Sequence, residues 1–273
     1  MLEKPWAELP LLSSPQNQRV KDYVALRDDG NVRREKKRFL LEGKRAAGAA
    51  LASPHVLVHE LIFCEHLLGA DLALVELAQT KQVPLTRVSK DVFKKIAGVK
   101  TPQGLAAVVR MPSWDAARTL SGAEAFVVAA CGVQDPGNVG TLIRSCEAAG
   151  AAALVTLEGT ADPFNAKVVR STAAGLLRLP ILRLKTEEFL SLAAQHGLRL
   201  VAADAHGGTA YKMFNWKKRP LALCIGSEGA GLPPAIAAAC AEKVTIPLKG
   251  QAESLNAAVA ASILLFEALQ PQP

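Results

Sequence analysis

In residues 123–273, apolar runs of strand length alternate with longer runs of helical period, and that order leaves few folds open. Strand-like segments at Ala125–Ala130, Ala153–Thr156, Leu198–Ala203, Leu221–Ile225 and Lys243–Ile246 are separated by helix-like segments at Val139–Ala149, Pro163–Leu177, Glu187–His196 and Pro233–Ala241. A last helix-like run covers Leu255–Leu269. Strands alternating with helices predict a parallel sheet with helices on both faces. Ligands bind such sheets beyond the carboxyl ends of the strands. The loops Cys131–Asn138, Gly226–Leu232 and Pro247–Ser254 each follow an expected strand, so a site is expected there.

The first half is mixed α/β. Residues 1–15, with Pro5, Pro10 and Pro15, read as an irregular lead-in. Helical spacing follows at Arg19–Leu26 and Phe39–Leu51, a strand at Val56–Cys64, a helix at Ala70–Lys81, a strand at Val83–Val88, a helix at Lys90–Ile96 and a strand at Leu105–Arg110. The pattern breaks at MPSWDAARTLSG. We therefore expect a first domain over 16–112, a linker over 113–122 and a second domain over 123–273.

Charge separates the halves. Residues 1–112 hold 18 Lys and Arg against 12 Asp and Glu, whereas residues 113–273 hold 14 against 13. The densest cluster is Arg33, Arg34, Lys36, Lys37 and Arg38, followed by Lys44 and Arg45. Such a run is either a solvated helix face or the electrostatic footprint of a polyanion. A nucleic-acid enzyme in the second half would favour RNA.

Other classes are excluded. The apolar runs Ala125–Cys131 and Ala257–Phe266 are too short to span a bilayer, and the N-terminus lacks the layout of a secretory signal, so a cytoplasmic protein is expected. Five scattered cysteines with no C-x-x-C pair argue against a disulfide framework or a zinc ribbon. His55, His59, Cys64 and His66 lie close in sequence, but their spacing fits no standard zinc pattern, and no metal is expected.

Three segments carry chemistry. In CGVQDPGNVGTLIRSCEAAG (131–150), Pro136 and Gly137 make a turn, Asn138 reads as a helix N-cap, and Arg144 follows six residues later. A dinucleotide fold finds one attraction in Glu158, about twenty residues on, but has no G-x-G-x-x-G, which counts against a nicotinamide oxidoreductase. In CIGSEGAGLPP (224–234), Gly226, Gly229 and Gly231 allow close backbone approach, and Glu228 adds a carboxylate. In IPLKGQAESLNAAVAASILLFEAL (246–269), a polar loop enters an apolar helix that Ser254 is suited to cap.

Together these segments closely resemble the three motifs of the SpoU (TrmH-like) family of RNA ribose methyltransferases, with Asn138 and Arg144 in the first, Gly226–Gly229 in the second and Ile246–Asn256 in the third. DPFNAKVVRSTAAGLLRLP (162–180) resembles a further family segment, departing at Ala174 where relatives usually have glycine. The resemblance implies a SPOUT-type parallel-sheet domain with a deep trefoil knot, a homodimer, and S-adenosyl-L-methionine as cofactor. It places Gly226, Ile246 and Leu255 against the cofactor and Asn138, Arg144, Glu228, Ser254 and Asn256 at the reaction centre. The first half, through FLLEGKRAAGAAL (39–51) and KTPQGLAAVV (100–109), resembles the small ribosomal-protein-like RNA-binding module that precedes many such domains. RNA is then the expected partner of Arg33, Arg34, Lys36, Lys37, Arg38, Lys44 and Arg45. The expected reaction is methylation of a ribose 2′-hydroxyl in ribosomal RNA; a tRNA enzyme or a catalytically silent RNA-binding relative are the alternatives.

Overall fold

A computed structural model describes residues 5–54, 56–67 and 69–269. His55 lies outside the described residues. The chain divides into two packed units: Met1–Pro112 with Phe164–Leu177, and Ser113–Pro163 with Arg178–Pro273.

The first unit is built on a four-stranded mixed sheet of β1 (Arg38–Glu42), β2 (Val58–Cys64), β3 (Leu85–Val88) and β4 (Leu105–Arg110), in the order β1-β4-β2-β3. β4 runs antiparallel to β1 and β2, and β2 parallel to β3. The helices are α1 (Gln18–Asp28), α2 (Gly30–Lys36), α3 (Lys44–Ala52), α4 (Leu72–Thr80) and α5 (Lys90–Ala97). Val20, Tyr23 and Leu26 of α1 and Val92, Phe93 and Ile96 of α5 share one core with Leu40, Ile62 and Val108 of the sheet.

Phe39–Leu51 is not one helix. Phe39, Leu40 and Leu41 are buried on β1, Gly43 turns the chain at a φ of 114°, and α3 follows. An unbroken apolar triplet fits a strand buried on both faces as well as it fits a helix, and tertiary packing decided between them. The lead-in is also packed: Pro5–Glu8 form a 3-10 turn, the Trp6 ring meets Phe63 at 6.1 Å, and Leu12 bridges to Val88 of β3.

The expected helix over Pro163–Leu177 breaks into α8 (Ala166–Ser171) and a 3-10 turn at Gly175–Leu177. Ala173 and Ala174 have φ of 49° and 69°. That left-handed region favours glycine, which gives the family's usual glycine at this position a backbone reason. This stretch packs with the first unit, the Phe164 ring lying 5.1 Å from Phe39.

The second unit carries a seven-stranded sheet: β5 (Phe126–Cys131), β6 (Ala153–Thr156), β7 (Ile181–Arg183), β8 (Arg199–Ala203), β9 (Thr209–Ala210), β10 (Leu221–Gly226) and β11 (Glu242–Thr245). Their order is β7-β6-β5-β10-β8-β11-β9, and every pair is parallel. The helices are α6 (Ala116–Leu120), α7 (Pro136–Ala149), α9 (Thr186–Gln195), α10 (Pro234–Ala239) and α11 (Ala257–Leu269). Val127, Ala129 and Cys131 of β5 share a core with Leu120, Phe189, Ala193 and Ile236, which places α6, α9 and α10 on one face. α7 and α11 pack together, tied by a Ser145–Ser262 hydroxyl hydrogen bond of 2.7 Å. Residues 113–122 are therefore no free linker, because α6 buries Leu120 in this core. β7 and β9, with three and two residues, were too short to show a period.

Among the described residues no helix is long and apolar enough to cross a membrane.

Candidate functional site

A cavity of about 570 Å³ opens where β8, β10 and β11 end, within the range typical of small-molecule sites. Its wall combines the residues after β8 (Asp204, His206), the loop after β10 (Gly226–Leu232), Ile246 and Leu248 after β11, and Ser254 and Leu255 before α11. Five residues singled out in the sequence, Gly226, Glu228, Ile246, Ser254 and Leu255, thus line one space.

The glycine loop is held tightly at its base. Ser227 and Gly231 exchange two backbone hydrogen bonds of 3.0 Å. A Cβ on Gly226 would lie 2.3 Å from the Gly231 carbonyl carbon and 2.6 Å from the Leu232 nitrogen. At Gly229 a Cβ would meet nothing within 4 Å. The two glycines of the same motif therefore differ: Gly226 lets the loop fold back on itself, whereas the space at Gly229 would admit a side chain.

Glu228 joins the three motifs. Its Oε1 accepts hydrogen bonds from Asn138 Nδ2 and from Asn256 Nδ2, each at 2.7 Å, and from the Ala257 backbone N–H at 3.4 Å. Asn256 Nδ2 also donates to Asn138 Oδ1 at 2.9 Å. The Asn256 side-chain oxygen accepts from the N–H groups of Ala258 and Val259, so Asn256 caps α11, not Ser254. Nor is Asn138 an N-cap. Asp135 caps α7 by accepting from the Asn138 N–H at 2.9 Å, which frees the Asn138 amide to reach Glu228. Both corrections follow from chain direction: the residue before the first turn presents its oxygen to N–H groups two and three positions on.

Arg144 stands on the exposed side of α7, outside the cavity wall, and makes no hydrogen bond or ion pair with the described residues. Its guanidinium remains available to a ligand. Asp204 and Lys243, which the sequence reading missed, form an ion pair of 2.8 Å at the cavity. The Lys243 ammonium, with the His206 backbone N–H, holds the Asp204 carboxyl below the usual carboxylate range. The position of Asp204 directly after a strand was the available signal. Glu158 instead braces the start of α9: its Oε2 accepts from the Thr186 N–H and hydroxyl at 2.9 and 2.8 Å.

In the first unit the basic run divides. Arg33 is only 2% exposed and donates to the Leu26 and Arg27 carbonyls at 3.0 and 2.8 Å, closing the end of α1. It is an internal strut and cannot meet a phosphate. Arg34, Lys36, Lys37, Arg38 and Arg45 are exposed, and Lys44 pairs with Asp71. Arg38 stands directly opposite Arg110 in the β1–β4 ladder, and burial together with these two cations pushes the His59 imidazole down. Like charges placed opposite one another destabilise a sheet, which makes Arg110 a phosphate-facing candidate that the sequence reading missed. No group of three or more His, Cys, Asp or Glu among the described residues could hold a metal.

Comparison with known proteins agrees with this geometry. Residues 17–107 match the MRM3-like substrate binding domain, and residues 125–266 match the SpoU rRNA Methylase family. The chain is 33% identical over 255 residues to the 23S rRNA (guanosine(2553)-2′-O)-methyltransferase RlmP of Bacillus subtilis, covering 93% of this chain and 97% of that one. An AdoMet-bound rRNA methyltransferase from Sinorhizobium meliloti superposes with a TM-score of 0.84 at 30% identity, covering 95% of this chain and 97% of that one. AviRb from Streptomyces viridochromogenes, solved with AdoMet, gives 0.80 at 32% identity, covering 93% of this chain and 98% of that one. With its three motifs tied together by hydrogen bonds to Glu228 and more than half its length matching the family, the chain belongs to the SpoU rRNA methylases.

Proposed function

We propose that this protein transfers a methyl group from S-adenosylmethionine to a ribose 2′-hydroxyl of ribosomal RNA. The observation that carries the reading is the Glu228 carboxylate, which ties Asn138 of the first motif and Asn256 of the third to the cofactor loop of the second. Two relatives named for their activity act on 23S rRNA at different nucleosides, guanosine in one and uridine in the other. What they share is the ribose 2′-hydroxyl, not the base, so the base recognised here is set by this chain's own surface.

The cofactor's sulfonium supplies an electrophilic methyl group and a neutral leaving group. Gly226, Ile246 and Leu255 hold the cofactor in the cavity after β10 and β11, where apolar side chains exclude water and exposed backbone offers hydrogen bonds. Asn138 and Asn256 act through Glu228 to fix the loop, and Ser254 lines the space where the ribose is brought in. Arg144 is the group that meets the RNA. A guanidinium stays protonated up to about pH 12 and so makes a poor base at neutral pH. It works instead by charge, lowering the 2′-hydroxyl's pKa or clamping a neighbouring phosphate, with the proton leaving through water. The first domain, 16–112, captures RNA through Arg34, Lys36, Lys37, Arg38, Lys44 and Arg45, and the domain over 123–273 carries out the transfer. The family's C-terminal trefoil knot, a homodimer and a cytoplasmic setting belong to the same proposal; Val259 and Phe266, 47% and 39% exposed on α11, supply an apolar face for the dimer.

The test is transfer of labelled methyl to unmodified rRNA and, separately, tRNA, with nuclease mapping of the product. Ribose methylation confined to rRNA supports the proposal. Transfer to tRNA alone, or wild-type turnover by Arg144→Ala with unchanged cofactor affinity, refutes the substrate or the arginine's role respectively.

A further inference from the structure

A second cavity, of about 590 Å³, lies in the first unit. It forms where β2 ends at Cys64, where the loop Lys100–Gly104 enters β4, and where α3 begins at Lys44. Its floor is apolar, made by Leu67, Phe93 and Pro102. Its rim is cationic: Lys44, Lys90 and Lys100 stand against a single lining acid, Asp71, which Lys44 already engages. Lys90 and Lys100 are exposed and have no ion-pair partner among the described residues.

One polar group on the rim is fixed in orientation. The Gln103 Oε1 accepts from the Lys44 backbone N–H at 2.9 Å, which leaves the amide NH₂ as the free end. That end presents two donors and no acceptor. An apolar floor, a fixed amide donor and rim cations are together the chemistry that receives a flat heterocycle bearing a carbonyl, with phosphates on either side. The volume lies within the roughly 300–1,000 Å³ of ligand pockets. A base inside a duplex cannot enter such a space, whereas a base in a loop or bulge can be splayed out into it.

We propose that this cavity receives one unpaired nucleotide of the RNA substrate, the base seated on Leu67 and Pro102 beside the Gln103 amide and the flanking phosphates held by Lys90 and Lys100. The inference rests on the RNA-binding reading of this domain but not on the methyl-transfer reaction. It adds a point of selection remote in sequence from the catalytic motifs, one that reads an unpaired base in the substrate.

The experiment uses the full-length protein and a ten-nucleotide single-stranded RNA of uridines with one 4-thiouridine, irradiated and mapped by mass spectrometry. Cross-links in residues 64–67 or 100–104 support the proposal, and cross-links confined elsewhere on the chain overturn it. In parallel, fluorescence anisotropy compares this RNA with a duplex of equal length. The double variant Lys90→Glu, Lys100→Glu lowers single-strand affinity at least tenfold, while Lys81→Glu, Lys94→Glu changes it less than threefold. Equal losses in the two double variants, or a duplex bound as tightly as the single strand, would show general charge attraction and overturn the pocket. Because neither readout uses the cofactor, cross-links in the cavity without methyl transfer would sink the catalytic reading and leave this one standing, and the reverse holds.

Discussion

Gly226→Ala is the smallest change that tests the architecture of the glycine loop after β10. The added Cβ would meet the Gly231 carbonyl carbon at 2.3 Å, its oxygen at 2.4 Å and the Leu232 nitrogen at 2.6 Å, where ordinary contact begins at 3.4 Å. All three atoms are backbone, so no side chain can swing away, and the Gly231–Leu232 segment must retreat by about 1 Å. The Ser227–Gly231 bonds resist that movement. Overpacking of this kind costs about 1–3 kcal/mol, which at 1.4 kcal/mol per decade is roughly a 5- to 150-fold change in an equilibrium constant. If the loop keeps its shape, the cost appears as lower stability, roughly 2–4 °C in Tm per kcal/mol for a chain of this size. If the loop relaxes, it appears as weaker binding of S-adenosylmethionine. Calorimetric titration and thermal unfolding on the same preparation capture both. Gly229→Ala is the control, since its Cβ meets nothing within 4 Å and should leave Tm unchanged. A Gly226→Ala protein with Kd within twofold and Tm within a degree of wild type would refute the reasoning.

Glu228→Ala strands three donors; partly solvated hydrogen bonds contribute about 0.5–1.5 kcal/mol each, so kcat/KM for methyl transfer should fall roughly 30-fold, with Glu228→Gln intermediate, and equal rates in the two would show that the acceptor oxygen is not what matters. Arg33→Ala should destabilise the first unit by about 3 kcal/mol through two orphaned helix-end carbonyls, read by denaturant unfolding, whereas Arg34→Ala should spare stability and weaken RNA binding; the opposite pattern would return Arg33 to the surface. The Asp204 carboxyl is held below its ordinary value by Lys243 and the His206 N–H, so its contribution to stability is full above the unfolded carboxylate pKa and fades as pH falls through the folded one. Asp204→Asn should therefore lower Tm at pH 7, with the loss shrinking as pH falls through the folded value, and an equal loss at every pH would exclude the ion pair as the cause.

Much of the second unit was legible because its order of strands and helices is local. Period 2 and period 3.6 are written along the chain, and parallel pairing follows from their alternation. The glycine loops and the polar helix starts carried the site for the same reason: each is a contiguous string whose residue types have few other uses together. Short elements carried no such signal, which is why β7 and β9 went unread, and the triplet Phe39–Leu41 fitted two periods at once.

By itself, then, the sequence determined the parallel sheet, the edge of that sheet where the cavity opens, and the residue types available there. Only the tertiary structure decided which of them meet. Asn138 and Glu228 are 90 residues apart, and Asn138 and Asn256 are 118 apart, yet one carboxylate oxygen accepts from both amides. It also decided that Gly226 abuts backbone while Gly229 does not, and that Arg33, in the middle of a basic run, turns inward to close α1. The physical reason is common to all three. Hydrogen bonds and hard-sphere contacts act over a few ångströms of space whatever the separation along the chain, and a linear pattern records only neighbours.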